Sequence, residues 1–157
     1  MNKLSLLIIF IIRVGSGIII FRQGLEKFTG DFTLNGLVPV IRDNTDSPQW
    51  YKWFFENIVS HTTGLFNFII PLGEMAIGLG LILGVFAYTA SFFGAFVMIN
   101  YIVADMIFTY PLQLAFFIIL LMSHSLLAKV SLKEIIAYFR DRNNRGEDKH
   151  DPLTNRG

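Results

Sequence analysis

Residues 4–21 read LSLLIIFIIRVGSGIIIF, a run whose side chains are all apolar or small except for one arginine at position 13. Its length matches the roughly 17–25 helical residues needed to cross a hydrocarbon core of about 30 Å. Three further segments, 65–84, 86–104 and 112–128, are similarly long and apolar. Apolar residues make up 53% of the chain and charged residues 16%, too lopsided to dress a soluble domain in polar surface. Within hydrocarbon every backbone N–H and C=O must be satisfied by the chain itself, so segments of this length become helices. The expected fold is therefore an all-α integral membrane protein, a bundle of four transmembrane helices. The first run is expected to be retained as a helix, because Arg13 interrupts it and no small-x-small cleavage site follows.

Four spans divide the chain into a transmembrane domain, residues 1–128, and a polar tail, residues 129–157. The tail carries seven Lys or Arg and Lys3 precedes the first span, so the positive-inside rule places both termini in the cytoplasm of a cell-membrane protein. The 22–64 loop is then extracytoplasmic. Its four basic and five acidic side chains nearly cancel, which argues against a nucleic-acid or phosphate groove. The tail, mixed in charge and poor in apolar residues, is expected to be disordered. The chain has no cysteine, which excludes thiol–disulfide chemistry and cysteine metal clusters, and no metal site is expected.

The large loop has structure of its own. Helix 1 is expected to continue past the membrane surface until Gly30, and RDNTDSP reads as a solvated turn. Ser47 and Pro48 then have the chemistry to cap and start an amphipathic helix, PQWYKWFFENIVSH. At 100° per residue Trp50, Trp53, Phe54, Ile58 and His61 share one side, while Lys52 and Glu56 form an i,i+4 pair on another. Two roles stand open for the tryptophans: anchors at headgroup depth, or a lid over a ligand site at the outer mouth of the bundle.

An arginine inside hydrocarbon costs at least about 2.5–3.5 kcal/mol, so it faces the bundle interior and finds a partner. Arg13 lies ten residues into the first span and Glu74 ten residues into the second, which suggests that the two pair near the midplane. Arg13, Gly17, Ile20, Gly24 and Lys27 fall on one narrow face of the first helix, and Glu74 shares a side with Gly78 on the second. Small residues let helices approach closely. Pro71 deprives the Asn67 carbonyl of its usual partner, so a local kink with a polar opening is expected beside Glu74. Ala90, Gly94, Tyr101 and Asp105 line one face of the third span, and Gln113, Phe117, Leu120 and His124 one face of the fourth. Packing and functional roles both remain open for His124 and for the Arg13/Glu74 pair.

At these residues the chain resembles the DoxX family. RVGSGIIIFRQGLEKF is similar to the family's opening, matched by Arg13, Gly17, Gly24 and Lys27, and PLGEMAIGLGLILG to its second-helix signature, matched by Glu74, Gly78, Leu79, Leu81 and Gly84. WYKWFFENIV is similar to the DoxD branch, the small subunit of archaeal thiosulfate:quinone oxidoreductase, although RQG stands where His-Gly is more usual. The resemblance covers residues 4 to about 128. It implies a quinone site between the first two helices, with Glu74 and Arg13 as catalytic residues and Gly17, Gly24, Lys27, Trp50, Trp53 and Gly78 around the quinone. A quinone needs an apolar slot plus one or two polar groups for its carbonyl oxygens. Without cysteine, a haem-type histidine pair or a Gly-rich nucleotide loop, the chain has no redox centre of its own. Quinone chemistry would thus require a partner redox protein, with membrane lipid and a second copy as further partners. A non-enzymatic scaffold or assembly factor is the alternative, and a small transporter a third reading.

Overall fold

The computed structural model describes residues 3–131 together with residues 134, 136, 137 and 140, so the expectation of a disordered tail falls almost wholly outside the described residues. Among the described residues seven α-helices have defined bounds: α1 (Lys3–Thr29), α2 (Leu37–Asp43), α3 (Gln49–Asn57), α4 (Thr63–Leu83), α5 (Ala87–Val103), α6 (Tyr110–Met122) and α7 (His124–Lys129). Short 3-10 turns at Leu34–Gly36 and Val59–His61 flank the pair α2 and α3. No strand occurs among the described residues.

α1 continues well past its apolar run and stops where expected, with the amide of Gly30 closing on the carbonyl of Glu26 at 3.0 Å. It packs antiparallel to α4 along most of its length. α4 runs unbroken through Pro71, and in place of the expected polar opening the space beside this proline is filled by α1 at Gly24. A tight turn joins α4 to α5. Gly84 (φ 68°) ends α4 in the left-handed region that glycine adopts without strain, and Phe86 (φ 52°) follows in the same region. α5 and α6 form a second antiparallel pair, locked where the Phe117 ring fills the notch left by Gly94.

α1 and α4 are long and apolar enough to cross a membrane, whereas α5 and α6, at 17 and 13 residues, are apolar but shorter. The expected fourth span, 112–128, is divided: α6 ends at Met122 and α7 begins at His124, whose ring meets Tyr88 edge-on at 4.9 Å. The radial distribution of polarity is inverted relative to a soluble protein. Leu7, Ile11, Ile18, Phe68, Leu79, Phe92 and Ile118 point outward, while Arg13, Ser16, Glu74, Ser91 and Gln113 are buried. Such an apolar exterior suits hydrocarbon as solvent and would aggregate in water.

Residues 30–62 fold back as a cap over one end of the bundle, with a small core of its own around Leu34, Ile41, Tyr51, Phe55 and Val59. Hydrogen bonds tie it to α4 and the end of α5, among them a contact from Asn67 Nδ2 to Thr33 Oγ1 at 3.4 Å. The Leu34 amide donates to Asn67 Oδ1 at 2.9 Å, Ser47 Oγ to the carbonyl of Val103 at 3.1 Å, Tyr51 Oη to that of Asn100 at 3.1 Å, and Asn44 Nδ2 to Asp105 Oδ2 at 3.0 Å. Ser47 is therefore a buried anchor for the cap. It does not cap α3, which is preceded by extended Pro48 and has no side-chain cap.

Candidate functional site

Glu74, midway along α4, is fully buried. Its Oε1 accepts from the Lys27 ammonium at 2.6 Å and from the Tyr101 hydroxyl, and the same ammonium donates to Tyr101 Oη at 2.6 Å. The ammonium also lies 4.4 Å from the Tyr101 ring centroid and 5.6 Å from that of Phe32, within reach of cation–π attraction. Three helices thus supply one polar cluster. Lys27 can join it only because α1 extends to Thr29, two residues farther.

Arg13 is not the partner of Glu74. Equal counts into two spans give equal depth only if both spans start at the same level, and the two helices are registered otherwise. Gly24 packs beside Glu74, and Arg13 lies eleven positions before Gly24, about 16 Å away along α1 at 1.5 Å per residue. Arg13, 1% exposed, donates from Nη1 to the Leu81 carbonyl at 2.5 Å, with its guanidinium carbon 5.3 Å from the Phe10 ring centroid. The last carbonyls of a helix lack intrahelical partners and carry partial negative charge, so a cation there contributes about 0.3–2 kcal/mol. An arginine stands in the apolar run because it finishes the far end of α4.

The glycines close an interface and line no passage. A Cβ at Gly24 would sit 2.7 Å from the Pro71 carbonyl oxygen, one at Gly17 2.9 Å from Leu81 Cβ, and one at Gly78 2.6 Å from Phe21 Cβ. α1 and α4 touch backbone to backbone there, with no slot between the first two long helices. The open space lies on the other side of α4. A cavity of about 700 Å³ runs beneath the cap between α4 and α5, walled by Ile70, Gly73 and Ile77 from one and Phe93, Val97 and Tyr101 from the other. Lys27 also lines it, whereas Glu74 stands one layer behind. Ile69, Phe93 and Phe96 line the cavity while being about half exposed, so it opens sideways onto the apolar exterior.

α3 does roof this cavity, but with a different face from the one expected. Tyr51, Phe54 and Phe55 point into it, while Trp50 and Trp53 are 64% and 59% exposed on the outside. Of the group assigned to one covering side, only Phe54 is in the lining. Burial pushes the Tyr51 phenol up to about 12, so it stays a neutral donor to the Asn100 carbonyl.

Of the residues expected to act together, the structure joins Lys27 to Glu74, packs Gly24 beside Glu74 with Gly17 and Gly78 as spacers farther along the same α1–α4 contact, and leaves Arg13, Trp50 and Trp53 elsewhere. Tyr101 was legible only as part of a helix face, since its role depends on how α5 docks. Among the described residues, five buried side-chain atoms have no protein hydrogen-bond partner: Arg13 Nε, Ser16 Oγ, Gln23 Oε1, Glu74 Oε2 and Gln113 Oε1. Each such atom typically costs about 1–3 kcal/mol if nothing satisfies it. No group of three or more His, Cys, Asp or Glu that could hold a metal occurs among the described residues.

A family model described as DoxX matches residues 8–109, which span α1, the cap, α4 and α5. No curated protein and no solved structure matches the chain.

Proposed function

The chain belongs to the DoxX family, and on that premise we propose that it is the membrane subunit of a quinone-linked oxidoreductase, working beside a separate redox protein. In this reading α1, α4, α5 and the broken helix α6–α7 cross the cell membrane. Lys3, Lys129 and the basic tail keep both termini cytoplasmic, and the cap faces out.

One observation carries the reading: the apolar, aromatic cavity that opens toward lipid has the Lys27–Tyr101–Glu74 cluster at its wall. A flat ring with a prenyl tail fits a slot of about 700 Å³ reached through the bundle wall. A bound quinone supplies chemistry in which two electrons and two protons convert it to the quinol. The chain's residues bind and protonate. Were a quinone bound there, Phe54, Phe55 and Phe93 would line its ring, Lys27 and, once turned from Glu74, Tyr101 would donate to a carbonyl oxygen, and Glu74 would hold the ammonium in place and take up the replacement proton. Electrons come from the partner.

The test is quinone content after purification from native membranes in mild detergent. Wild type and Trp53→Ala should retain quinone, while Phe54→Ala and Tyr101→Phe should each lose at least tenfold. Quinone-free wild-type protein, or equal retention in all four, would favour the non-enzymatic scaffold, for which a buried polar cluster tying three helices together is a sufficient role.

A further inference from the structure

The five orphaned polar atoms are not scattered. Arg13, Ser16 and Gln23 belong to α1, and with Ile20 and Lys27 they fall within an arc of about 80° on that helix, spread over about 21 Å of its length. The other two come from α4 and α6, which both pack on α1, at levels near its capped end. Glu74 packs against Gly24, and Gln113 stands one turn along α6 from Tyr110, whose ring lies 4.7 Å from that of Tyr101. Gln23 is likewise one turn from Lys27. Both glutamines therefore lie on the side of the ion pair away from the cap, and neither lines the cavity. Arg13, Ser16, Glu74 and Gln113 are 96–100% buried.

Polar atoms in such a row are satisfied by water, which typically makes about three hydrogen bonds in a buried site. We propose that the face of α1 from Arg13 to Lys27 is a hydrated track for protons, leading from the far end of the bundle through Ser16, Gln23 and Gln113 to Glu74. Glu74 Oε1 is taken by Lys27 and Tyr101 while the buried Oε2 has no protein partner, which leaves it to receive the track's protons. The carboxylate takes a proton from the track at Oε2 as Lys27 releases one toward the cavity, and net charge at the site is unchanged. Ile20, 0% exposed, is the one apolar side chain in the stripe and forms its dry step. Arg13 stands at the far mouth, within a turn of the end of α4. The cluster thereby becomes a proton gate whatever ligand the cavity holds.

The full chain in proteoliposomes with an internal pH dye, a potassium gradient and valinomycin tests this. Ile20→Thr keeps the branched shape and adds a hydroxyl to the dry step, so proton flux should rise at least tenfold over wild type, with no escape of a trapped anionic dye. Adding Glu74→Gln should return the flux to the wild-type level. In a second measurement, silver ion should modify Ser16→Cys at least tenfold faster than Met98→Cys, which is as deeply buried but lies among apolar side chains. Folded Ile20→Thr protein as tight as wild type, a leak that passes dye or ignores Glu74→Gln, or equal silver reactivity at the two cysteines would each overturn the track. No quinone is present in either measurement, so such a failure would leave the quinone reading to its own test.

Discussion

Replacing Lys27 with methionine removes the cation from a carboxylate that has no exposure of its own. Unit charges 2.6 Å apart attract by about 6 kcal/mol at an effective dielectric constant of about 20. Desolvating both groups offsets most of that, so the pair's net contribution is small, yet loss of one partner from a buried pair costs about 3–5 kcal/mol because the other charge is stranded. At about 2–4 °C per kcal/mol for a chain of this size, Lys27→Met should lower the detergent melting temperature by about 6–20 °C. Glu74→Leu should do the same by stranding the ammonium, less severely because Lys27 keeps 18% side-chain exposure and can reach water. The double variant should melt above the Lys27→Met single. Arg13→Leu combined with Glu74→Leu, by contrast, should be additive to within about 0.5 kcal/mol, as expected for sites that share no partner. Additive losses at Lys27 and Glu74, or strong coupling between Arg13 and Glu74, would refute the registration of α1 on α4.

Gly24→Ala drives a Cβ into the Pro71 carbonyl, a backbone atom that cannot swing aside, and should cost about 1–3 kcal/mol by thermal melting, whereas Gly15→Ala meets nothing within 4 Å and should be neutral or slightly stabilising. Single cysteines at Thr45 and Glu134 of this cysteine-free chain should react with an impermeant maleimide from outside and from inside the cell respectively, and the reverse pattern would invert the topology. Tyr51 gives the cap a pH dependence. Burial pushes its phenol up to about 12, against about 10 when unfolded, so its contribution to stability is constant below pH 10 and falls as pH rises from 10 to 12; Tyr51→Phe should make that slope shallower in a pH series of melting curves.

The apolar runs announced the helices to within a few residues, since hydrocarbon length and backbone satisfaction leave little freedom: α5 at Ala87–Val103 nearly coincides with its expected span of 86–104. α6 did not, because the break at Ser123 follows from how α7 docks on α1 and α5, a tertiary matter. The glycine face of α1 was legible, and so was the need of Arg13 for a polar partner. What a single sequence does not carry is the axial offset between two helices. An offset of eleven residues, which sets Gly24 and not Arg13 level with Glu74, gave Glu74 to Lys27 without altering any helical face. The same holds for α3, where burial of Tyr51 and Phe55 in place of Trp50 and Trp53 is a rotation of about 150° about the helix axis, accompanied by the hydrogen bond from Tyr51 to Asn100.

Backbone contact at Gly17, Gly24 and Gly78 has a mechanical consequence. Helices in such contact cannot slide or separate without breaking many close contacts at once, so α1 and α4 behave as one stiff beam. The Phe117 ring seated against Gly94 makes α5 and α6 a second beam. The seam between the beams is where the cavity sits, bridged at the capped end by the ion pair from Lys27 and Glu74 on one side to Tyr101 on the other. Any motion that widens the lateral opening is therefore a rigid tilt of one helix pair against the other about that bridge.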